Sequence, residues 1–465
     1  MKKNSSFLKD FVNYFSSNLI IKIMALFTLP IIANLLSPSD YGYYSYVMVY
    51  VSYANILFTF NLLPAISRFY YDEIDHKSFM GTSIIGAGSI FLSFIILFIV
   101  FQNILIDYFH ISYEVFVFVF IFVFITSISS IFHQLFVALR KSKLISLLSV
   151  LNAMLLFVLT LLYIYFGDKK YSLIYANLSV GLVFSLIYIY YIKEYIAFKY
   201  NKSYLIQNVK YSVPLAFDAI SAILIVNIDK IMLEKSFGLE VLGLYSFAYN
   251  VGLLLTSVVI YPLLSAWTPE YFEDMKSENY TKLDKNILFM WESIVGVSIV
   301  MVLFYREFVV LLFNKSYYDG FVILPYIVMS GLFLFLWQIY GRSIGYAKRN
   351  IYMIFVTLAA GLLNILLNYI LIPKYQMLGA SIATVISYVL MFLLGIFISK
   401  YIIKMYLFDY KKLVSAFLLF VCSFIFSLNY SNYTIELDVV ILKVLMASLL
   451  LSILFYKKIM KRVNV

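Results

Sequence analysis

The residues with the most chemistry to explain are charged side chains set inside long apolar runs: Lys22, Asp218, Asp229 and Glu292. A charge near mid-bilayer costs about 2.5–3.5 kcal/mol on insertion scales, so it is kept where it faces a cavity or a partner. Asp218 and Asp229 are eleven residues apart. At 100° per residue the offset is only about 20°, so the two carboxylates share one helix face, with Ser221, Ala222 and Ile225 between them. Such a face offers a proton or a small cation an acidic foothold at two depths. Plainer readings stand beside this one. Asp218 follows Pro214 and suits a helix N-terminus, where the dipole favours acids. Asp229-Lys230, with Asn227, suits an interfacial polar pair. Lys22 lies about 10 Å into its run. It either meets a phosphate-bearing headgroup or snorkels its ammonium back to the interface. Glu292 is at similar depth and suits pairing with a cation.

Arg68, Arg140 and Arg342 stand at the ends of runs on one membrane face. A ring of arginines suits a phosphate-bearing group, because the guanidinium fork binds phosphate bidentately. Ordinary positive-charge anchoring serves equally, and Arg140, in a cluster with Lys141 and Lys143, fits anchoring better. Asn61, Asn152, Asn364 and Asn368 are uncharged polar residues inside runs. Asn364 and Asn368, four apart, share a face. They either bond a polar cargo or hold helices together. No spacing of Cys, His and Asp suggests a metal site. Cys422 is the one cysteine, so a single chain has no disulfide. His76 and His110 fall in connections, and His133 packs within a run. No cofactor is expected, beyond a proton or sodium ion as a coupling species.

These residues are positioned by fourteen apolar runs, at about 15–36, 42–63, 80–101, 114–138, 144–166, 171–192, 212–233, 241–266, 286–313, 321–345, 350–372, 377–399, 412–428 and 438–456. Each approaches the roughly 20 residues that span a bilayer as a helix. With 63% hydrophobic and 13% charged residues, the chain is too apolar for a soluble protein of this size. The expected fold class is an all-α integral membrane protein. Its 43 Tyr and 44 Phe suit aromatic belts at both interfaces. About 26 Lys and Arg fall on one side of the runs and about 6 on the other. The positive-inside rule then puts both termini in the cytoplasm, which an even number of spans allows. The basic residues are spread along one face rather than clustered as in a nucleic-acid patch. The start, Met1-Lys2-Lys3, lacks a small-residue cleavage site and reads as a basic amphipathic lead-in.

No connection is long enough for a soluble domain, so any chemistry takes place in or at the membrane. The stretch Glu194 to Gln207 is the best candidate linker between halves. A short repeat supports two halves of like orientation: Tyr41-Gly42-Tyr43-Tyr44-Ser45-Tyr46 after the first run, and Leu242-Gly243-Leu244-Tyr245-Ser246-Phe247 after the seventh. Parallel repeats of this kind are a transporter signature.

Four separated segments resemble the polysaccharide flippases of the multidrug/oligosaccharidyl-lipid/polysaccharide exporter superfamily. They are Leu35-Leu36-Ser37-Pro38-Ser39-Asp40-Tyr41-Gly42; Val213-Pro214-Leu215 with Asn227-Ile228-Asp229-Lys230-Ile231-Met232-Leu233; Val241 to Tyr249 with Trp267-Thr268-Pro269; and Asn364, Asn368 and Leu371 to Tyr375 with Leu378 to Thr384. The resemblance implies two six-helix lobes related by a pseudo-two-fold along the membrane normal, residues 1–200 and 201–403, with two more helices and a basic tail in 404–465. It implies a flippase of the inner membrane. Its cargo would be undecaprenyl-pyrophosphate-linked oligosaccharide for capsule or O-antigen, moved to the outer leaflet, with a polymerase and a chain-length regulator as possible partners. On this reading Lys22, Arg68, Arg342, Asn61, Asn364 and Asn368 contact cargo, and Asp218, Asp229 and Glu292 couple transport to ions. The rival readings are a multidrug or metabolite antiporter of the same superfamily and a membrane polymerase or glycosyltransferase. Catalysis is disfavoured: a polymerase of this pathway usually carries a long external loop, and none is present.

Overall fold

In hydrocarbon every backbone N–H and C=O must find its partner within the protein, so sustained apolar runs become helices. The computed structural model shows this along the chain. It describes all residues except 1, 60–61, 71–74, 110–111, 410, 430–432, 434 and 464–465, and leaves undescribed the side chains of 2–12, 58, 67, 105, 107–109, 214, 218 and 456–463. The helices are α1 Lys2–Leu35, α2 Pro38–Thr59, the short α3 Ala65–Phe69, α4 His76–Phe109, α5 Tyr113–Ala138, α6 Ser142–Phe166 and α7 Lys169–Ile192. They continue as α8 Lys202–Leu254, α9 Tyr261–Lys276, α10 Tyr280–Leu312, α11 Leu324–Tyr346, α12 Ile351–Phe397, α13 Lys411–Asn429 and α14 Leu437–Val463.

Among the described residues eleven helical stretches are long and apolar enough to cross a membrane. Two of them are double. Lys202–Lys276 breaks at Gly238, where φ is 82° and ψ −177°. Ile351–Ile403 breaks at Gln376, where φ is 49° and ψ −127°. Divided at these breaks, the candidate spans number thirteen among the described residues; α2, which is tyrosine-rich, is a further 22-residue helix where the sequence has an apolar run. The protein is a multi-pass integral membrane protein. His76, expected in a connection, is instead the first residue of α4, because Asp75 caps the helix by accepting from the Ser78 amide (3.1 Å) and hydroxyl (2.6 Å). His110 lies outside the described residues.

The chain divides into two compact units, Met1–Ile223 and Leu224–Val465. The boundary falls inside α8, not in the Glu194–Gln207 connection, and the reason is local. That connection is strapped to α4. The Ala197 amide donates to the Lys77 carbonyl (3.1 Å), the Thr82 hydroxyl to the Lys199 carbonyl (3.0 Å), and the Asn201 amide to the Thr82 hydroxyl (3.1 Å). Just beyond, buried Asn208 donates to Ser83 (2.6 Å). The strap lies so close that a Cβ at Gly81 would sit 1.9 Å from the Ala197 oxygen. Elsewhere in the first unit, Asn13–Ser142 (3.0 Å) and Ser17–Ser146 (3.1 Å) zip α1 to α6 at i, i+4 spacing. Its core gathers Leu62, Ile66, Phe132, Phe136, Phe184 and Tyr188.

In the second unit Trp337, Ile344, Val356, Ala360 and Met391 pack α11 against both arms of α12. The Trp291 indole, fully buried on α10, donates to the Leu413 carbonyl (3.0 Å) and fixes the start of α13. Lys443 on α14 pairs with Glu307 on α10. Cys422 is exposed on α13.

Candidate functional site

The second unit holds the best-defined buried polar group. Gly238 adopts a backbone conformation essentially reserved for glycine. The α8 chain folds back there, since Tyr245 donates its hydroxyl to Asp229 sixteen residues earlier. Asp229 is fully buried. It lies nine residues, about 13 Å, from the turn. Its other oxygen accepts from the Lys230 amide (2.7 Å). The Lys230 ammonium is turned to Asn227 Oδ1 (2.9 Å) and lies 5.1 Å from the Tyr249 ring centroid. Tyr245 and Tyr249, one turn apart, thus divide the two charges: one serves the carboxylate through its hydroxyl, the other the ammonium through its ring face.

The second arm of α12 closes this group. Thr384 hydrogen-bonds the Tyr245 hydroxyl, and Tyr388 one turn on interacts with Asp229 and Tyr249. On the first arm, buried Asn368 donates to Asn364 Oδ1 (2.8 Å). Asn364 Nδ2 and Asn368 Oδ1 have no hydrogen-bond partner. Asn368 and Thr384 each lie eight residues from Gln376, about 12 Å from that turn. A carboxylate, two amides and a hydroxyl are thus buried in the second unit, the Thr384 hydroxyl beside Tyr245 and Asp229. Groups of this kind suit a proton or a small monovalent cation.

The remaining sequence-predicted residues are placed as follows. Lys22 is half-buried on α1, and Arg68 is exposed at the end of α3, its guanidinium 5.1 Å from the Phe69 ring. Arg342 on α11 directs its donors to protein groups: Nη1 to the Gln338 carbonyl (2.9 Å), Nη2 to the Thr268 hydroxyl (3.0 Å) and the Leu264 carbonyl (3.4 Å), with the Trp267 ring 5.6 Å away. It clamps α9 to α11. Glu292 is half-buried on α10. Asp218 lies on α8, with its side chain outside the described set, and Asn61 lies outside the described residues altogether. The sequence reading missed Tyr245 and Tyr249, hidden among 43 tyrosines. It also missed Lys443, although a lone Lys in an apolar run is the signal that drew attention to Lys22.

Comparison with known proteins adds a family. Residues 7–276 match the family described as polysaccharide biosynthesis protein. The capsular polysaccharide biosynthesis protein CapF of Staphylococcus aureus is 24% identical over 401 residues, covering 82% of this chain and 96% of that protein. An uncharacterized membrane protein of Methanocaldococcus jannaschii is 26% identical over 430 residues, 86% of this chain and all of its own (100%). Among solved structures, the lipid II flippase MurJ in an inward closed conformation superposes with a TM-score of 0.76 at 15% identity, covering 97% of this chain and 100% of its own. An inward-facing multidrug resistance transporter of the MATE family gives 0.64 at 16% identity, covering 84% of this chain and 98% of its own. At these identities the structural likeness establishes the fold.

Proposed function

The chain belongs to the polysaccharide biosynthesis protein family, and from that premise we propose that it is a flippase. It moves undecaprenyl-pyrophosphate-linked oligosaccharide from the cytoplasmic to the outer leaflet by alternating access, as a transporter and not as a catalyst. The observation that carries this reading is the family match over residues 7–276. The fold alone does not select a cargo, since similar structures include both a lipid II flippase and a multidrug transporter. The excess of Lys and Arg on one side of the spans supports cytoplasmic termini. Lys22 and Arg68 are assigned to the diphosphate by their charge and their places on α1 and at the end of α3, whereas the Arg342 donors hold α9. Asp229 is the coupling carboxylate, with Asp218 and Glu292 as further acids along the spans. Asn364 and Asn368, buried and bonded to each other, are read with Asp229 in the second unit and not as a sugar site. A polymerase with its chain-length regulator would receive the product.

The test is to ask which leaflet holds complete lipid-linked repeat units in cells lacking the gene, using a membrane-impermeant probe on intact cells and on inverted vesicles. Units confined to the cytoplasmic leaflet, released when the gene is restored, are expected. Complete units on the outer leaflet of the deletion strain would overturn the reading. Restoring Asp229→Asn instead should give flipping that no longer responds to pH or sodium; an unchanged response removes Asp229 from coupling and leaves the flippase assignment standing.

A further inference from the structure

Three charged side chains unused by the transport reading converge where α10 ends and α14 begins. Arg306 is 8% exposed and Lys443 2%. Each is six residues, about 9 Å, from the near end of its helix. The Lys443 ammonium donates to Glu307 Oε1 at 2.6 Å. Arg306 Nε donates to the Tyr305 hydroxyl at 3.0 Å. Its guanidinium lies 5.3 Å from the Tyr305 ring and 5.9 Å from the Tyr433 ring. Tyr433 in turn lies 5.0 Å from Tyr318, within electrostatic reach of Asp319. Two buried atoms in this group have no hydrogen-bond partner, Arg306 Nη1 and Glu307 Oε2. Folded proteins leave few such atoms, and charged ones are the most costly to leave unpaired.

The two orphans describe their missing partner. One is a cationic donor and calls for an anionic oxygen. The other is an anionic acceptor and calls for a hydroxyl. Arg306, Glu307 and Lys443, the three charges at the orphaned atoms, carry one net positive charge; Asp319, the further carboxylate near Tyr433, is exposed, so the complement of the buried atoms is an anion. Their depth, within two turns of the helix ends, is that of lipid phosphates rather than of acyl chains. The Tyr433 ring, on the connection between α13 and α14, covers the guanidinium.

We propose that this cluster binds a phosphate-ester headgroup carrying a free hydroxyl, on the side of the membrane opposite the basic loops. Two sources offer that chemistry: a resident anionic lipid such as phosphatidylglycerol, and the diphosphate-linked sugar of a polyprenyl lipid. The first source is independent of the flippase reading and the second rests on it; because binding is read on the purified protein, its failure is distinguishable from failure of the leaflet experiment.

The experiment is native mass spectrometry of the purified full-length protein in detergent, titrated in turn with dioleoyl-phosphatidylglycerol, phosphatidic acid, phosphatidylcholine and a polyprenyl-diphosphate sugar. Wild type should retain phosphatidylglycerol or the diphosphate sugar over phosphatidylcholine, and the ligand retained names the source. Arg306→Gln should weaken that binding about tenfold or more, the scale of a lost charged hydrogen bond. Tyr433→Ala, which lifts the cover, should keep or raise it. Glu307→Gln should erase the preference for phosphatidylglycerol over phosphatidic acid, and serves if Arg306→Gln fails to fold by gel filtration. Equal retention of phosphatidylglycerol, diphosphate sugar and phosphatidylcholine overturns the proposal. So does retention unaltered by Arg306→Gln, and either result leaves a buried water as the partner of the orphans.

Discussion

Replacing Gly81 by alanine tests the strap directly, with Gly88 on the same helix as its control. A Cβ at Gly88 meets nothing within 4 Å. There, Gly→Ala should only gain helix propensity, about 0.5–1 kcal/mol. At Gly81 the new Cβ would lie 1.9 Å from the Ala197 oxygen and 2.8 Å from its carbonyl carbon, where ordinary contact begins at 3.4 Å. The strap must therefore retreat by about 1.5 Å, the difference between 3.4 and 1.9. Its three bonds to α4 are already 3.0–3.1 Å long, so a retreat of that size takes them out of hydrogen-bonding range. At about 1 kcal/mol net for each bond the loss is about 3 kcal/mol, offset by about 1 of propensity. Gly81→Ala should thus be destabilised by about 2 kcal/mol while Gly88→Ala is neutral or stabilised. Denaturation of the detergent-solubilised protein, followed by tryptophan fluorescence, reads the difference. Hydrogen exchange over 196–201 should rise in Gly81→Ala alone. If Gly81→Ala proves as stable as Gly88→Ala, with exchange there unchanged, the strap is not held as described.

Tyr245→Phe strips buried Asp229 of a donor and should cost about 1.5–3 kcal/mol. Tyr249→Phe keeps the ring face that meets Lys230 and should be nearly silent, so equal effects in denaturation would contradict the division of labour between the two tyrosines. Gln376→Gly should stabilise by about 1 kcal/mol, relieving roughly 1–3 of backbone strain against the entropy of glycine; a lower melting temperature than wild type would refute it. Lys443→Met leaves Glu307 buried without its cation and should cost about 3–5 kcal/mol. Adding Glu307→Gln should recover much of that loss, and a double variant no more stable than Lys443→Met would show that the pair is not the cause.

What the sequence made legible was what short-range pattern encodes. The fourteen apolar runs became helices among the described residues because the bilayer leaves the backbone no alternative. The i, i+4 spacing of Asn364 and Asn368 predicted a shared face, and the two amides bond each other. Long-range pairings were not legible. Nothing near Asp229 singles out Tyr245 as its donor, because the pairing depends on a reversal at Gly238 that resembles any short connection. Arg306 is one of the about 6 cations on the sparser side of the runs, and nothing in the sequence marks it as buried against Tyr305 on α10. Lys443 meets a partner 136 residues away. The Glu194–Gln207 stretch had the composition of a free linker. Its attachment to α4 depends on the missing side chain of Gly81, which no local pattern reveals.

Cys422 carries a practical consequence. It is the chain's one thiol, and it sits exposed on α13, where a substitution disturbs little packing. Cys422→Ser therefore yields a thiol-free background in a single step. A cysteine can then be placed in any connection in turn and challenged with a maleimide that cannot cross membranes. Labelling from one side or the other of sealed vesicles would map each connection to a leaflet and read the topology of the whole chain directly.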